Sequence, residues 1–249
     1  MTEMQDKVIV IHQPDFIPYL GFFDRLIKAD IYVVFDNVQY VRSSRGWTNR
    51  DKIKTRKGEK WISVSTQKAP RDTAINKIFI SKDTEWRKVN LNLIHENYKD
   101  CSYYDEIMPY IINLYAYDCE RLMDFNMQSI QMLMELFDIS IDIVYASDLH
   151  PKGKSNELIV DIMKHLGCTK YLSGVGARDY YVPEIYEKAG IEVIWQDFVH
   201  PVYKQQYDGF IPYLSSIDLL FNCGIEESRK ILRGEKENEA NSELGGGVY

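Results

Sequence analysis

Four cysteines stand in this chain, and no two of them form a C-x-x-C pair. Cys101, Cys119, Cys168 and Cys223 are scattered, which speaks against a zinc centre or a disulfide framework. Isolated thiols suit a reducing cytosol. Long apolar runs are also missing. No stretch approaches the roughly 20 residues a bilayer-spanning helix needs, so membrane insertion is not expected. The opening residues, MTEMQDK, are acidic and polar with no apolar signal-peptide core behind them, and the expected location is cytoplasmic. Basic charge is in deficit, with 30 Lys and Arg against 37 Asp and Glu for a net charge of −7. A general nucleic-acid binder needs clustered Lys and Arg for its phosphate contacts, so that class is set aside. Room remains for a local basic pocket around one phosphorylated metabolite.

What is present is an ordinary globular balance, 45% hydrophobic and 27% charged over 249 residues. The chain is organised around Val8–Tyr40. Val8–Ile11 is a short β-branched run of buried-strand type. His12-Gln13-Pro14-Asp15 breaks it, and Pro18 suits a first helical turn. Leu20, Phe23, Leu26 and Ile27 then recur at helical spacing, and Ile31–Phe35 is a second strand with Asp36, Asn37 and Gln39 at its carboxyl end. Strand–helix alternation returns at residue 141: strands at 141–146, 169–172 and 191–195, helices at 156–166 and 184–189. Such alternation implies right-handed βαβ units and a largely parallel sheet. The expected fold is therefore α/β, a mostly parallel Rossmann-like sheet with a helical insert over roughly residues 84–137. Residues 1–232 are expected to form a single domain, and the polar tail 233–249 lacks the apolar content to fold. Residues 74–80 alternate loosely, as an edge strand does, and helices are expected at 216–221 and 226–232.

Ligands of open α/β sheets bind beyond the carboxyl ends of the strands, and the candidate site residues lie there. His12, directly after the first strand, is the first choice for general base because its pKa lies near working pH. His200, oriented by Asp197, is the second. Gln13, Asp36, Gln39, Asn49 and Arg50 join them from the first half. Ser173, Gly174, Arg178 and Tyr180 join from the turn after the strand at 169–172, where glycine admits close backbone approach and arginine offers a planar fork for an anion. Arg50 and Arg178 are assigned the anionic part of a nucleotide. Arg42 to Lys57 is the one dense basic segment; a solvated loop and an anion-binding loop are equally good readings of it. Gly153-Lys154-Ser155 invites a phosphate-loop reading that fails, because Asp148 stands where the required glycine would be.

Taken in order, several motifs resemble the WbqC-like proteins of bacterial polysaccharide clusters: Ile11-His12-Gln13-Pro14, Tyr19-Leu20-Gly21-Phe22-Phe23-Asp24, Phe35-Asp36-Asn37-Val38-Gln39-Tyr40 and Trp47-Thr48-Asn49-Arg50. Tyr171-Leu172-Ser173-Gly174, Gln196-Asp197-Phe198, His200-Pro201-Val202-Tyr203, Phe210-Ile211-Pro212 and Asp218–Gly224 continue it, so that the likeness spans residues 7–232. The resemblance implies a small-molecule group-transfer enzyme of surface-polysaccharide (O-antigen) biosynthesis, an acyl or aminoacyl transferase or ATP-dependent amide-forming ligase. Its substrate would be an amino sugar or a nucleotide-linked amino sugar, and ATP or an activated acyl or aminoacyl donor would supply the group. No metal is implied, and a homo-oligomer is compatible with it. A non-catalytic sugar-nucleotide or glycan-binding module is the alternative from another class. The opening strand–turn–helix–strand also looks like the start of nucleotidyl-transferring enzymes, whose H-x-G-H signature this chain lacks.

Overall fold

In the computed structural model, which describes residues 5–42 and 46–235, the β-branched opening run becomes strand β1 (Gln5–His12). Alternation along it faces both ways. Ile9 and Ile11 point to one apolar layer and Val10 to another, as the two-residue period of a strand buried on both faces requires. Helix α1 (Leu20–Ile27) leads to β2 (Ile31–Val34), which is buried at every residue. After a separate hairpin, β3 (Arg50–Thr55) and β4 (Gly58–Ser63), strands β5 (Asp142–Tyr145), β6 (Cys168–Ser173) and β7 (Glu192–Trp195) complete a five-stranded sheet in the order β5-β2-β1-β6-β7. Every pairing in it is parallel, with Ile9 opposite Ile31 and Val10 opposite Leu172. The fold is a Rossmann-like α/β sheet flanked by helices. Its carboxyl edge, where β1, β2, β6 and β7 end, gathers residues 12, 34, 173 and 195.

The insert is three helices, α2 (Glu85–Tyr98), α3 (Tyr104–Ala116) and α4 (Leu122–Leu136). They share a core with α1 and the second strand, in which Phe23 meets Phe137 and Phe16 meets Phe125. The opposite face of the sheet is covered by α5 (Asn156–Leu166) and α6 (Pro183–Ala189). Gly190 ends α6 at φ 69°, and its N–H returns to the Glu187 and Tyr186 carbonyls. This is the left-handed stop that glycine provides without steric cost. The two helices expected near the carboxyl terminus are present, together spanning α7 (Ile217–Arg233), and are separated by a kink at Gly224, where φ 75° and ψ 172° are not helical. The tail expected to lack structure lies, from residue 236, outside the described residues. Among the described residues no helix is long and apolar enough to cross a membrane.

Two local expectations are corrected. Residues 74–80 form no edge strand. A 3-10 turn, Ile75–Lys77, takes their place, because Ile75, Ile78 and Ile80 all bury on one side. The backbone N–H groups of Ile75 and Asn76 are taken by the Val38 and Asp36 carbonyls. The basic segment is not a loop over its described part. It is an antiparallel hairpin, β3 (Arg50–Thr55) and β4 (Gly58–Ser63), whose long cations spread over tryptophan: the Arg50 guanidinium lies 4.1 Å and the Lys52 ammonium 5.0 Å from the Trp61 ring. Lys54 turns inward instead, to the carbonyls of Tyr207 and Gly209.

Candidate active site

Beyond the carboxyl end of β1, the chain makes a tight passage from Gln13 to Tyr19 before α1 begins. Ile17 is held there at φ 36°, a costly conformation for a β-branched residue that persists only when its surroundings impose it. Those surroundings come largely from the insert. Fully buried Asn126 of α4 donates to the carbonyls of Pro14 (2.7 Å) and Thr48 (2.5 Å). Ser129 Oγ accepts from the Ile17 N–H at 3.3 Å, and Ser215 Oγ donates to the Ile17 carbonyl at 2.7 Å. The three-helix insert is thus the clamp that fixes this passage.

The clamped passage is one wall of a cavity of about 450 Å³. His12, Asp15, Pro18 and Tyr19 come from the passage itself. Arg25 comes from α1, Trp47 and Asp51 from the hairpin region, and Tyr171, Ser173 and residues 174–177 from the end of β6. Gln196 and Tyr213 close it. Gln196 holds the parts in register: its N–H donates to the Ser173 carbonyl (2.8 Å), and its Nε2 donates to the Gly21 carbonyl (2.8 Å) and Asp24 Oδ2 (2.7 Å). Its Oε1 accepts from Arg25 Nη1 at 3.1 Å.

Burial sets the protonation of the acid–base groups. The His12 ring is driven down to about 3, first by loss of solvation and then by the nearby Arg25 charge, so the imidazole is neutral. Its Nδ1 lies 2.9 Å from the Gln13 carbonyl. A carbonyl only accepts, so Nδ1 carries the hydrogen and Nε2 keeps the lone pair. Asp15 Oδ2 stands 3.7 Å from that Nδ1. Desolvation raises the Asp15 carboxyl to about 7 although Arg25 pulls the other way. Asp51 is pushed well above the usual carboxylate range by burial, with a further push from Asp15. The cavity therefore offers a carboxyl that gains and loses a proton near neutrality, beside a neutral imidazole. Such a pair is suited to general acid–base work.

Of the residues expected from the sequence, His12, Ser173 and Gly174 line this cavity, and Gln13 braces it by accepting from Thr48 Oγ1 at 3.2 Å. The others serve elsewhere. Asp36 is buried and accepts from the Ser147 N–H (2.9 Å), Ser147 Oγ (2.7 Å) and Asn76 Nδ2 (3.1 Å), fastening the end of β2. Gln39 is exposed and donates to the Arg71 carbonyl. Asn49 closes the hairpin against the Val64 carbonyl. Arg50 lies over Trp61, and Arg178 is exposed with its guanidinium 5.2 Å from the Trp195 ring. Tyr180 is 72% exposed. The expected Asp197–His200 couple does not form. Asp197 points to solvent, while His200 is boxed by Phe198, Tyr203, Phe210 and Tyr213 and is hydrogen-bonded through Nδ1 to the Pro201 carbonyl. It stands behind Tyr213, one layer from the cavity.

Sequence reasoning missed Asp15, Arg25, Asp51, Tyr19, Trp47, Tyr171, Gln196 and Tyr213 as site residues. Arg25 was hardest to see: helical spacing put it on the polar side of α1, yet nearly all of that helix is buried, Asp24 and Arg25 included. Asp15 carried the better signal, an acid three residues beyond a strand-end histidine.

No solved structure matches the chain significantly. An uncharacterized protein of Mycobacterium tuberculosis, Rv1507c, is 29% identical over 222 residues, covering 88% of this chain and 95% of its own length. Residues 13–230, running from the clamped passage to the last helix and covering the described cavity walls apart from the β1 end at Ile11 and His12, match the WbqC-like protein family, and to that family the chain belongs.

Proposed function

We propose that the cavity at the carboxyl edge of the sheet is the active site of a small-molecule group-transfer enzyme. It acylates or aminoacylates an amino sugar, free or nucleotide-linked, in surface-polysaccharide biosynthesis. The observation that carries this reading is the Asp15 carboxyl, poised near pH 7 against a neutral His12 inside a walled cavity. An amine attacks an acyl carbon as the free base. The new N–C bond forms as the donor's leaving group departs with its electron pair, and the amine's surplus proton needs a base. A carboxylate with a pKa near 7 accepts that proton at neutral pH far better than an ordinary one. His12, held neutral, offers its Nε2 lone pair as a hydrogen-bond acceptor that orients the attacking amine. Trp47, Tyr19 and Tyr213 offer apolar faces to a sugar ring. ATP or a preactivated acyl donor supplies the activation.

The test is incubation of the protein with amino-sugar nucleotides and either acyl donors or amino acids with ATP, read by mass spectrometry. Product from the wild type and at least a 100-fold slower rate from Asp15→Asn are expected, since a positioned base contributes roughly 10²–10⁴-fold. Tight binding of a sugar nucleotide with no turnover under any donor would overturn the enzyme reading in favour of a binding module.

A further inference from the structure

Among the described residues, Arg25 is a buried cation without an ion-pair partner. Its side chain is 4% exposed, its Nη2 has no hydrogen-bond partner, and among the described residues no carboxylate forms an ion pair with it. Of the acids around it, Asp24 is already engaged by Lys28 (2.7 Å) and by Gln196, and Asp15 faces His12. Guanidinium groups stay charged at any working pH. An uncompensated buried charge is costly, and buried charges are as a rule paired. The rest of the setting holds the cation in place. Gln196 Oε1 fixes Nη1 at 3.1 Å, and a Cβ on Gly174 would come within 2.5 Å of the same nitrogen. Glycine is the residue that lets the 174–177 turn and the guanidinium share one wall of the cavity.

We infer that Arg25 is the anchor of a carboxylate subsite, and that a singly charged carboxylic acid is one of the two substrates of this cavity. The identification as a substrate rests on the group-transfer reading above; the subsite itself does not. A monoanion neutralises the Arg25 charge, the one unpaired cation among the described lining residues. A phosphate dianion would leave a negative charge buried beside Asp15 and Asp51, which no further cation among the described lining residues offsets, since Arg50 and Arg178 lie outside that lining. Planar carboxylate also matches the planar guanidinium fork, whose charge-assisted hydrogen bonds are the strong ones.

Equilibrium binding tests this without turnover. Acetate, N-acetylglycine, inorganic phosphate and neutral acetamide are titrated at constant ionic strength, with binding followed by tryptophan fluorescence, which reports on Trp47, and by thermal shift. Carboxylates are expected to bind at least tenfold more tightly than phosphate, and acetamide is expected not to bind. Arg25→Gln should weaken carboxylate binding by about 10- to 100-fold, the worth of a charge-assisted hydrogen bond, and Arg25→Lys should recover part of it. If Arg25→Gln fails to fold, Gly174→Ala, whose backbone needs no left-handed conformation, displaces the guanidinium while keeping its charge, and should weaken carboxylates in the same order. Unchanged carboxylate affinity in these variants, preference for phosphate, or no binding by any carboxylate overturns the inference. Carboxylate binding that depends on Arg25 in a protein that transfers nothing sinks the proposed function and leaves the subsite standing. Turnover with an unchanged KM for the acid in Arg25→Gln does the reverse.

Discussion

Replacing Asp15 by Asn should make the protein more stable, by an amount that grows with pH. The Asp15 carboxyl moves from 3.8 in the unfolded chain to about 7 in the folded one. The folded state therefore binds the proton more tightly, and between those values it carries a proton that the unfolded chain has already released. Stability contributed by the neutral carboxyl is complete below about pH 4 and is lost as pH rises through 7. Three units at about 1.4 kcal/mol each give roughly 4 kcal/mol, an upper figure because water in the cavity screens part of it. Asn keeps the shape and the neutrality and cannot ionise. The stability difference between Asp15→Asn and wild type, measured by urea unfolding, should then climb by about 1 kcal/mol per unit between pH 5 and 7 and level off above that. Arg25, His12, Asp51, Tyr19 and Tyr32, the groups that act on this carboxyl, are present in both proteins, so their own titration cancels to first order. A difference that stays flat within about 1 kcal/mol from pH 5 to 8 would refute the claim that burial holds Asp15 neutral, and with it the argument for Asp15 as the proton acceptor.

Three further substitutions separate scaffold from site. Asn126→Ala leaves the buried Pro14 and Thr48 carbonyls without a donor and should cost about 2–4 kcal/mol, read as a lower urea midpoint at unchanged slope; a cost under about 0.5 kcal/mol would mean the insert does not clamp the passage. Gly224→Ala should destabilise by more than about 1 kcal/mol, because the position has φ 75° and its new Cβ would fall 2.5 Å from the Tyr103 ring; an unchanged Tm would show that α7 straightens freely at this point. His200→Phe should retain transfer activity and change stability by less than about 1.5 kcal/mol, since the imidazole sits in an aromatic box with a buried, unpartnered Nε2; a 100-fold loss of turnover would restore His200 to the catalytic machinery.

The sheet was legible because its signal is one-dimensional. β-branched runs of four to six residues, separated by helical periods and closed by Gly190, imply parallel strands whatever their order, and all five strands and the helical insert fall where those patterns put them. The hairpin at 50–63 was less legible because Arg50, Lys52 and Lys60 dominate its composition while the residues that hold it, Ile53, Ile62 and Trp61, are few. Its cations read as solvated charge and are in fact partly stacked on indole. The turn at 75–77 shows the converse: the stretch 74–80 looks like loose alternation in sequence, whereas Ile75, Ile78 and Ile80 all bury around a 3-10 turn.

The site divides along the same line. Cavity residues that stand at a strand end, His12, Ser173 and Gly174, follow from the strand pattern alone, because a parallel sheet puts all such ends on one edge. Arg25 and Asp51 do not, because what makes them chemically unusual is the loss of water around them, and that depends on neighbours far away in sequence. Arg25 reads as the exposed side of an amphipathic helix until the Gly174 turn, Gln196 and the strand-end passage close over α1. Asp51 reads as one more charge in a basic stretch until Ile53 and its hairpin turn it inward. Charge on a largely buried helix of eight residues between β1 and the fully buried β2 is therefore the informative signal: the short connection leaves no wide solvent face, and the charges must be answered from inside. In this chain the described residues answer Asp24 with Lys28 and Gln196, and give Arg25 no ion-pair partner. That asymmetry on adjacent residues is what points from the fold to a ligand that brings its own negative charge.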